Sequence, residues 1–215
     1  MDIKNIYNEL AGTYDKRYQE PIHIIEENIV LDKFYRLDPA NKVLSVGVGT
    51  GQDITALQLD SEGFLGVDIS YRMLQIARTN YPDYQFQEIN AVDVKEEFDT
   101  VVALFGVVNY LTLAKFIDVL RAVNASQCCI VTYNIGYKPA YLKEYDIERY
   151  TKPEIELMFR ENSWLSDVEG LSYPYDTQHF DMEHLMMDQC YSLAHEPISK
   201  AKYLLTTAVK TKWIS

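Results

Sequence analysis

A chain of 215 residues, 47% of them apolar, suits one domain with a substantial core, and no shift in composition marks a second. Its 32 acidic against 20 basic side chains give a formal charge of -12, which argues against a broad basic surface for nucleic acid, because such binding rests on Lys and Arg neutralising phosphates. No apolar run approaches the ~20 residues that cross a bilayer, the N-terminus lacks a signal sequence and the cysteines are sparse, so a cytoplasmic protein without membrane or nucleic-acid partners is expected, as a monomer or a homodimer.

From residue 42 onward strand and helix signals alternate, the pattern of a parallel sheet with helices on both faces. The apolar run 42–47 reads as a buried strand and leads into Gly47-Val48-Gly49-Thr50-Gly51. Without Cβ atoms the backbone there can turn tightly and approach a ligand, and Gln52 to Leu57 opens a helix whose free amides favour an acidic ligand end. A second strand, 64–68, closes on Asp68. Its distance from the first glycine is close to the ~20 residues that separate a glycine turn from a ribose-binding acid in a βαβ nucleotide site.

Further strands are predicted at 84–89, 98–104 and 127–133. Between the last two, Leu113, Phe116, Ile117 and Leu120 recur at helical spacing and form a core-facing stripe. Cys128 and Cys129 read as buried strand thiols, and no cysteine spacing resembles a zinc site. Thr151-Lys152-Pro153-Glu154 predicts a helix over 151–162, with an N-cap residue, proline in the first turn and an acid in that turn. Strands at 165–172 and 201–209 follow, and Lys200, Lys202, Lys210 and Lys212 read as solvated lysines that protect an edge strand.

The connection 173–199 is longer than the ~12 to 15 residues of an ordinary loop and too aromatic for disorder, so it is read as a substrate-side cap. It carries His179, Asp181, Glu183, His184 and His195, of which His179 and His184 are the general-base candidates. The two histidines stand five apart, not at the i, i+4 spacing of helical zinc pairs, and no metal is expected. Seventeen tyrosines suit either a pocket for an aromatic acceptor or packing at the core edge.

Dinucleotide sites carry GxGxxG, with the third glycine one place later than the GxGxG found here. That form, together with Gly66-Val67-Asp68-Ile69-Ser70 and Met73 to Arg78, resembles the class I S-adenosylmethionine-dependent methyltransferases. The resemblance covers most of residues 1–135. Glu88-Ile89-Asn90-Ala91 stands where family members meet the adenine amino group, Phe98 to Leu104 matches the fourth strand, and Phe105 to Leu111 lies where cofactor and acceptor come together. Tyr7 to Asp15 looks like the tyrosine-containing lid of small-molecule members.

The resemblance implies a Rossmann-like, doubly wound α/β fold: a mostly parallel seven-stranded sheet with an antiparallel terminal hairpin and helices on both faces. Residues 1–215 would form a single domain, with an N-terminal lid and helix in 1–30, a cofactor-binding core in 42–135 and the cap in 173–199. Residues 1–21 and the cap would close over the ligands from two sides. The cofactor implied is S-adenosylmethionine, with S-adenosylhomocysteine as product. Its contacts would be Tyr14, Gly47, Val48, Gly49, Thr50, Gly51, Asp68, Ile69, Asn90, Ala91 and Leu104. A small-molecule acceptor would meet Phe105, Asn109, Tyr110, Tyr133 and Tyr175 and receive the methyl group on oxygen or nitrogen.

Enzymes that methylate amino groups of nucleic-acid bases carry an Asn- or Asp-Pro-Pro-aromatic turn after the fourth strand, where this chain has Leu104-Phe105-Gly106-Val107. The alternative readings are a protein methyltransferase and a cofactor-binding protein without transfer activity. One position departs from the family pattern: Ser45 stands two residues before the first glycine, where an acid usually holds the methionine amino group. Asp53, Glu9 and Asp15 are the acids that could take over that contact.

Overall fold

Val43 to Val46 is buried at every position, as a strand covered on both faces must be, and its side chains divide between two cores. Leu44 and Val46 pack in one core with Phe116, Ile117 and Leu120, whereas Val43 lies in the other with Val30, Phe34, Ile54 and Leu57. Ser45, two residues from Val43, shares that second face. The computed structural model describes residues 2–18, 21–37, 42–137, 147–171, 198 and 201–211. Its strands are β1 (Val43–Val46), β2 (Phe64–Asp68), β3 (Gln85–Glu88), β4 (Thr100–Ala103), β5 (Gln127–Tyr133), β6 (Trp164–Leu171) and β7 (Tyr203–Lys210). The helices are α1 (Ile3–Leu10), α2 (Pro21–Tyr35), α3 (Gln52–Ala56), α4 (Tyr71–Asn80), α5 (Val107–Leu111), α6 (Leu113–Ala122) and α7 (Lys152–Glu161).

The seven strands run β3-β2-β1-β4-β5-β7-β6. All neighbours from β3 to β5 are parallel, and β7 is antiparallel to both β5 and β6. Strand order therefore reverses between β1 and β4, which opens a crevice at the carboxyl ends of the strands, where ligands of open α/β sheets bind. This is the expected doubly wound sheet with its terminal hairpin, and boundaries differ from expectation by at most two residues. Cys128 and Cys129 are fully buried on β5.

The last strand departs from the reading as an edge, although Lys210 at its end is exposed; Lys200 and Lys212 lie outside the described residues. β7 inserts between β5 and β6 and leaves β6 at the sheet margin. Lys202 lies with its ammonium 4.6 Å from the Tyr203 ring centre and 5.7 Å from that of Tyr137. It sits on an aromatic surface, not along an open edge.

The predicted start of α7 is a capping box: Thr151 Oγ1 accepts from the Glu154 amide, and Glu154 Oε2 accepts from the Thr151 amide. The helix buries Ile155 and Phe159 in the same core as Trp164 of β6. Thr151→Ala is expected to lower stability by ~1 kcal/mol in denaturant titration, because an alanine cap leaves a first-turn amide without its partner. No helix among the described residues is long and apolar enough to cross a membrane.

Candidate cofactor cavity

A cavity of about 520 Å³ opens at the carboxyl ends of β1, β2 and β4 and is walled by the glycine turn, Asp68, Ile69, Asn90, Ala91, Leu104 and Phe105. Asp68 organises its floor. The Gly49 N–H donates to Asp68 Oδ2 at 3.0 Å and the Ser70 N–H to Oδ1 at 2.7 Å, so one carboxylate ties the turn after β1 to the start of α4. Burial raises the Asp68 pKa, and the amides of Ser70, Gly49 and Ile69 oppose that rise. Each carboxylate oxygen still has a second acceptor site for a ligand.

The glycines serve different ends. Gly49 has φ +55°, and a Cβ built there meets nothing nearer than Gly47 O at 4.0 Å, so the residue borders open cavity space. A Cβ on Gly47 would stand 2.5 Å from Val107 Cγ2, and one on Gly51 2.6 Å from the Tyr81 ring. Gly47 lines the cavity but is also packed; Gly51 stands outside the lining residues, against Tyr81.

The N-terminal segment approaches the opening. Ile3, Tyr7 and Tyr14 line the cavity together with Tyr110 of α5. Tyr7 packs against Tyr14 and Tyr110 with ring centres 6.1 and 6.0 Å away. Polar contacts tie the segment down: Thr50 Oγ1 donates to Asp15 Oδ1 at 2.6 Å, Ser70 Oγ donates to Asn8 Oδ1 at 2.8 Å, and Lys4 pairs with Glu88 at 2.7 Å.

The wall formed by α2 and α3 is acidic, with Glu27 and Asp53 both lining it. Ser45 is fully buried and donates its hydroxyl to Asp53 Oδ2 at 2.7 Å. Removal from water pushes the Asp53 pKa up to about 7; the Ser45 hydrogen bond opposes this, and the nearby charges of Glu27 and Asp68 add to it. The Glu27 pKa is likewise raised, chiefly by burial. Of the acids considered for the Ser45 departure, Asp53 is therefore at the cavity and bonded to that serine. Asp15 accepts from Thr50, and Glu9 lies in a separate groove between α1 and α4.

Of the expected cofactor residues, Tyr14, Gly47, Val48, Gly49, Thr50, Asp68, Ile69, Asn90, Ala91 and Leu104 share this cavity. Of the expected acceptor residues, Phe105 and Tyr110 do as well. Asn109 and Tyr133 do not. Asn109 is 1% exposed; its Oδ1 accepts from the Tyr133 amide and its Nδ2 donates to the Glu148 carbonyl, so it staples β5 to residues 147–150. Both ends of that amide are engaged in holding backbone. Tyr133 packs on Gly106 and on Tyr203, 5.1 Å between ring centres. Tyr175, His179 and His184, with the rest of the cap apart from Ile198, lie outside the described residues.

Sequence reasoning missed Glu27 and Lys115, which line the cavity from α2 and α6. Glu27 carried one faint signal, an acidic pair with Glu26 inside the apolar stretch Ile22 to Val30.

A family model described as "Methyltransferase domain" matches residues 43–126. The demethylmenaquinone methyltransferase of Chlorobaculum parvum (strain DSM 263 / NCIMB 8327) is 30% identical over 185 residues, 77% of this chain and 74% of that one. An uncharacterized protein of Methanocaldococcus jannaschii is 32% identical over 126 residues, 58% of this chain; the match spans 47% of the length of that relative. Among solved structures, a SAM-dependent methyltransferase from Thermotoga maritima superposes with a TM-score of 0.66 at 14% identity, over 98% of this chain and 100% of that one.

Proposed function

The chain belongs to the class I S-adenosylmethionine-dependent methyltransferases, and from that premise we propose that it transfers the cofactor's methyl group to an oxygen or nitrogen of a small aromatic or amphipathic metabolite. The observation that carries this reading is the single cavity in which Asp68 and the glycine turn adjoin the aromatic wall of Phe105, Tyr7, Tyr14 and Tyr110. The residues fit the cofactor: open space faces Gly49, an acceptor carboxylate lies beside it for the ribose hydroxyls, and Asn90 stands on the β3 side for the adenine amino group. When bound, the cofactor supplies a sulfonium-activated methyl group, and the protein's task is alignment and exclusion of water.

Tyr7, Tyr14, Tyr110 and Phe105 line the cavity with aromatic rings, a surface suited to an aromatic or amphipathic acceptor. The N-terminal segment, fastened through Thr50–Asp15 and Ser70–Asn8, is the part of the chain we assign as lid. A small-molecule acceptor agrees with the name of the Chlorobaculum relative, a demethylmenaquinone methyltransferase, which does not bear on the choice of oxygen or nitrogen.

Calorimetric titration with S-adenosylmethionine and S-adenosylhomocysteine is expected to show saturable binding of both. Transfer of labelled methyl from the cofactor in a screen of phenols, quinols and aromatic amines should then find an acceptor. Binding of neither cofactor form overturns the reading; labelling of added proteins with none of the small molecules moves the acceptor class to polypeptides.

A further inference from the structure

The cavity is polarised along the sheet. Because β3, β2 and β1 lie side by side in that order, Asn90 after β3, Asp68 after β2 and the α3 residues after β1 follow one another along its length. At the far end Asp53 and Glu27 face the same space, and among the described residues neither has an ion-pair partner. The charge of Glu27 acts unfavourably on Asp53, and a ligand that brings a positive charge between the two recessed carboxylates relieves that repulsion. The hydrogen bond from Ser45 occupies Oδ2 of Asp53 and leaves Oδ1 for that ligand.

We propose that Asp53, oriented by Ser45 and seconded by Glu27, is the anionic seat for the ammonium group on the amino-acid tail of the cofactor, in place of an acid on β1. This rests on the cofactor reading above. Ser45 is then a positioning residue: too short and uncharged to meet the ammonium, it fixes the carboxylate that does. With Asp53 ionising near pH 7, affinity for the ammonium-bearing ligand rises as pH rises through neutrality, because only the carboxylate form attracts it.

Other groups bear on this wall: Glu27, Glu26 and His23 on α2, Asp68 at the end of β2, and Cys129 on β5, whose thiol burial holds up to about 12. His23 bonds Glu26 at 3.0 Å and acts on Glu27 through its charge.

The test compares S-adenosylhomocysteine with 5′-methylthioadenosine, which shares the adenosine and thioether but lacks the amino-acid tail, by calorimetry at pH 6, 7 and 8. Wild-type affinity for S-adenosylhomocysteine should rise about tenfold from pH 6 to 8, that for methylthioadenosine staying level. Asp53→Asn should weaken S-adenosylhomocysteine at least about tenfold at pH 8, flatten its pH profile and leave methylthioadenosine within about twofold, which also reports an intact fold. Ser45→Ala should move the midpoint of the profile upward, because it removes the hydrogen bond that favours the ionised carboxylate. Equal loss of both ligands in Asp53→Asn, or a pH profile that survives that substitution, overturns the assignment. A wild-type protein that binds neither ligand overturns the cofactor reading, and this inference with it.

Discussion

Asp68→Ala is expected to weaken cofactor binding by ~2 kcal/mol or more, roughly thirtyfold, as measured by calorimetry on the folded variant. Two losses combine. The ribose hydroxyls lose a charged acceptor in a recessed site, and the Gly49 and Ser70 amides lose the oxygens that hold them at 3.0 and 2.7 Å. The second loss loosens the glycine turn, so part of the effect is an ordering cost that the ligand must meet on binding. Asp68→Asn separates the contributions: it keeps the size and one acceptor but turns an NH2 group toward a backbone donor. It should therefore lie between wild type and alanine in affinity. Unchanged affinity in a folded Asp68→Ala protein removes the ribose role.

Asp68 was legible because its position depends on local order: a short apolar strand, a glycine turn before it and a fixed chain distance between the two. The same holds for the sheet up to β5, where continuous apolar runs such as Val101 to Leu104 mark strands buried on both faces. Glu27 was not legible, since its place in the wall depends on how α2 lies over α3, a packing contact that no local sequence pattern announces. The placement of Asn109 was hidden for a different reason. A polar residue just after β4 reads as a ligand group, yet the buried backbone of Tyr133 and Glu148 needs an amide there. The edge reading of the last strand failed because chain order does not reveal that this strand inserts inside the sheet. Ser45 was noticed as a departure, but only the fold shows that its partner Asp53, eight residues on, returns to the same spot.

The glycine turn offers the sharpest separation of binding from folding. In sequence Gly47 and Gly49 look equivalent, and both adopt the left-handed backbone, φ +69° and +55°, that costs other residues ~1 to 2 kcal/mol. Their surroundings differ. A side chain on Gly49 enters open cavity, so Gly49→Val should remain folded with a stability loss near that backbone cost while cofactor affinity falls at least about a hundredfold. Gly47→Ala places its methyl 2.5 and 2.7 Å from the two methyls of Val107, and overpacking adds to the backbone cost for a total of ~2 to 5 kcal/mol in denaturant titration. Adding Val107→Ala removes those two methyls but not the strained φ, so the double variant should recover the overpacking share and no more. Full recovery would mean that the backbone of the turn relaxes freely. Normal cofactor binding by Gly49→Val would place the ligand elsewhere than in this cavity, whatever the stability of either variant.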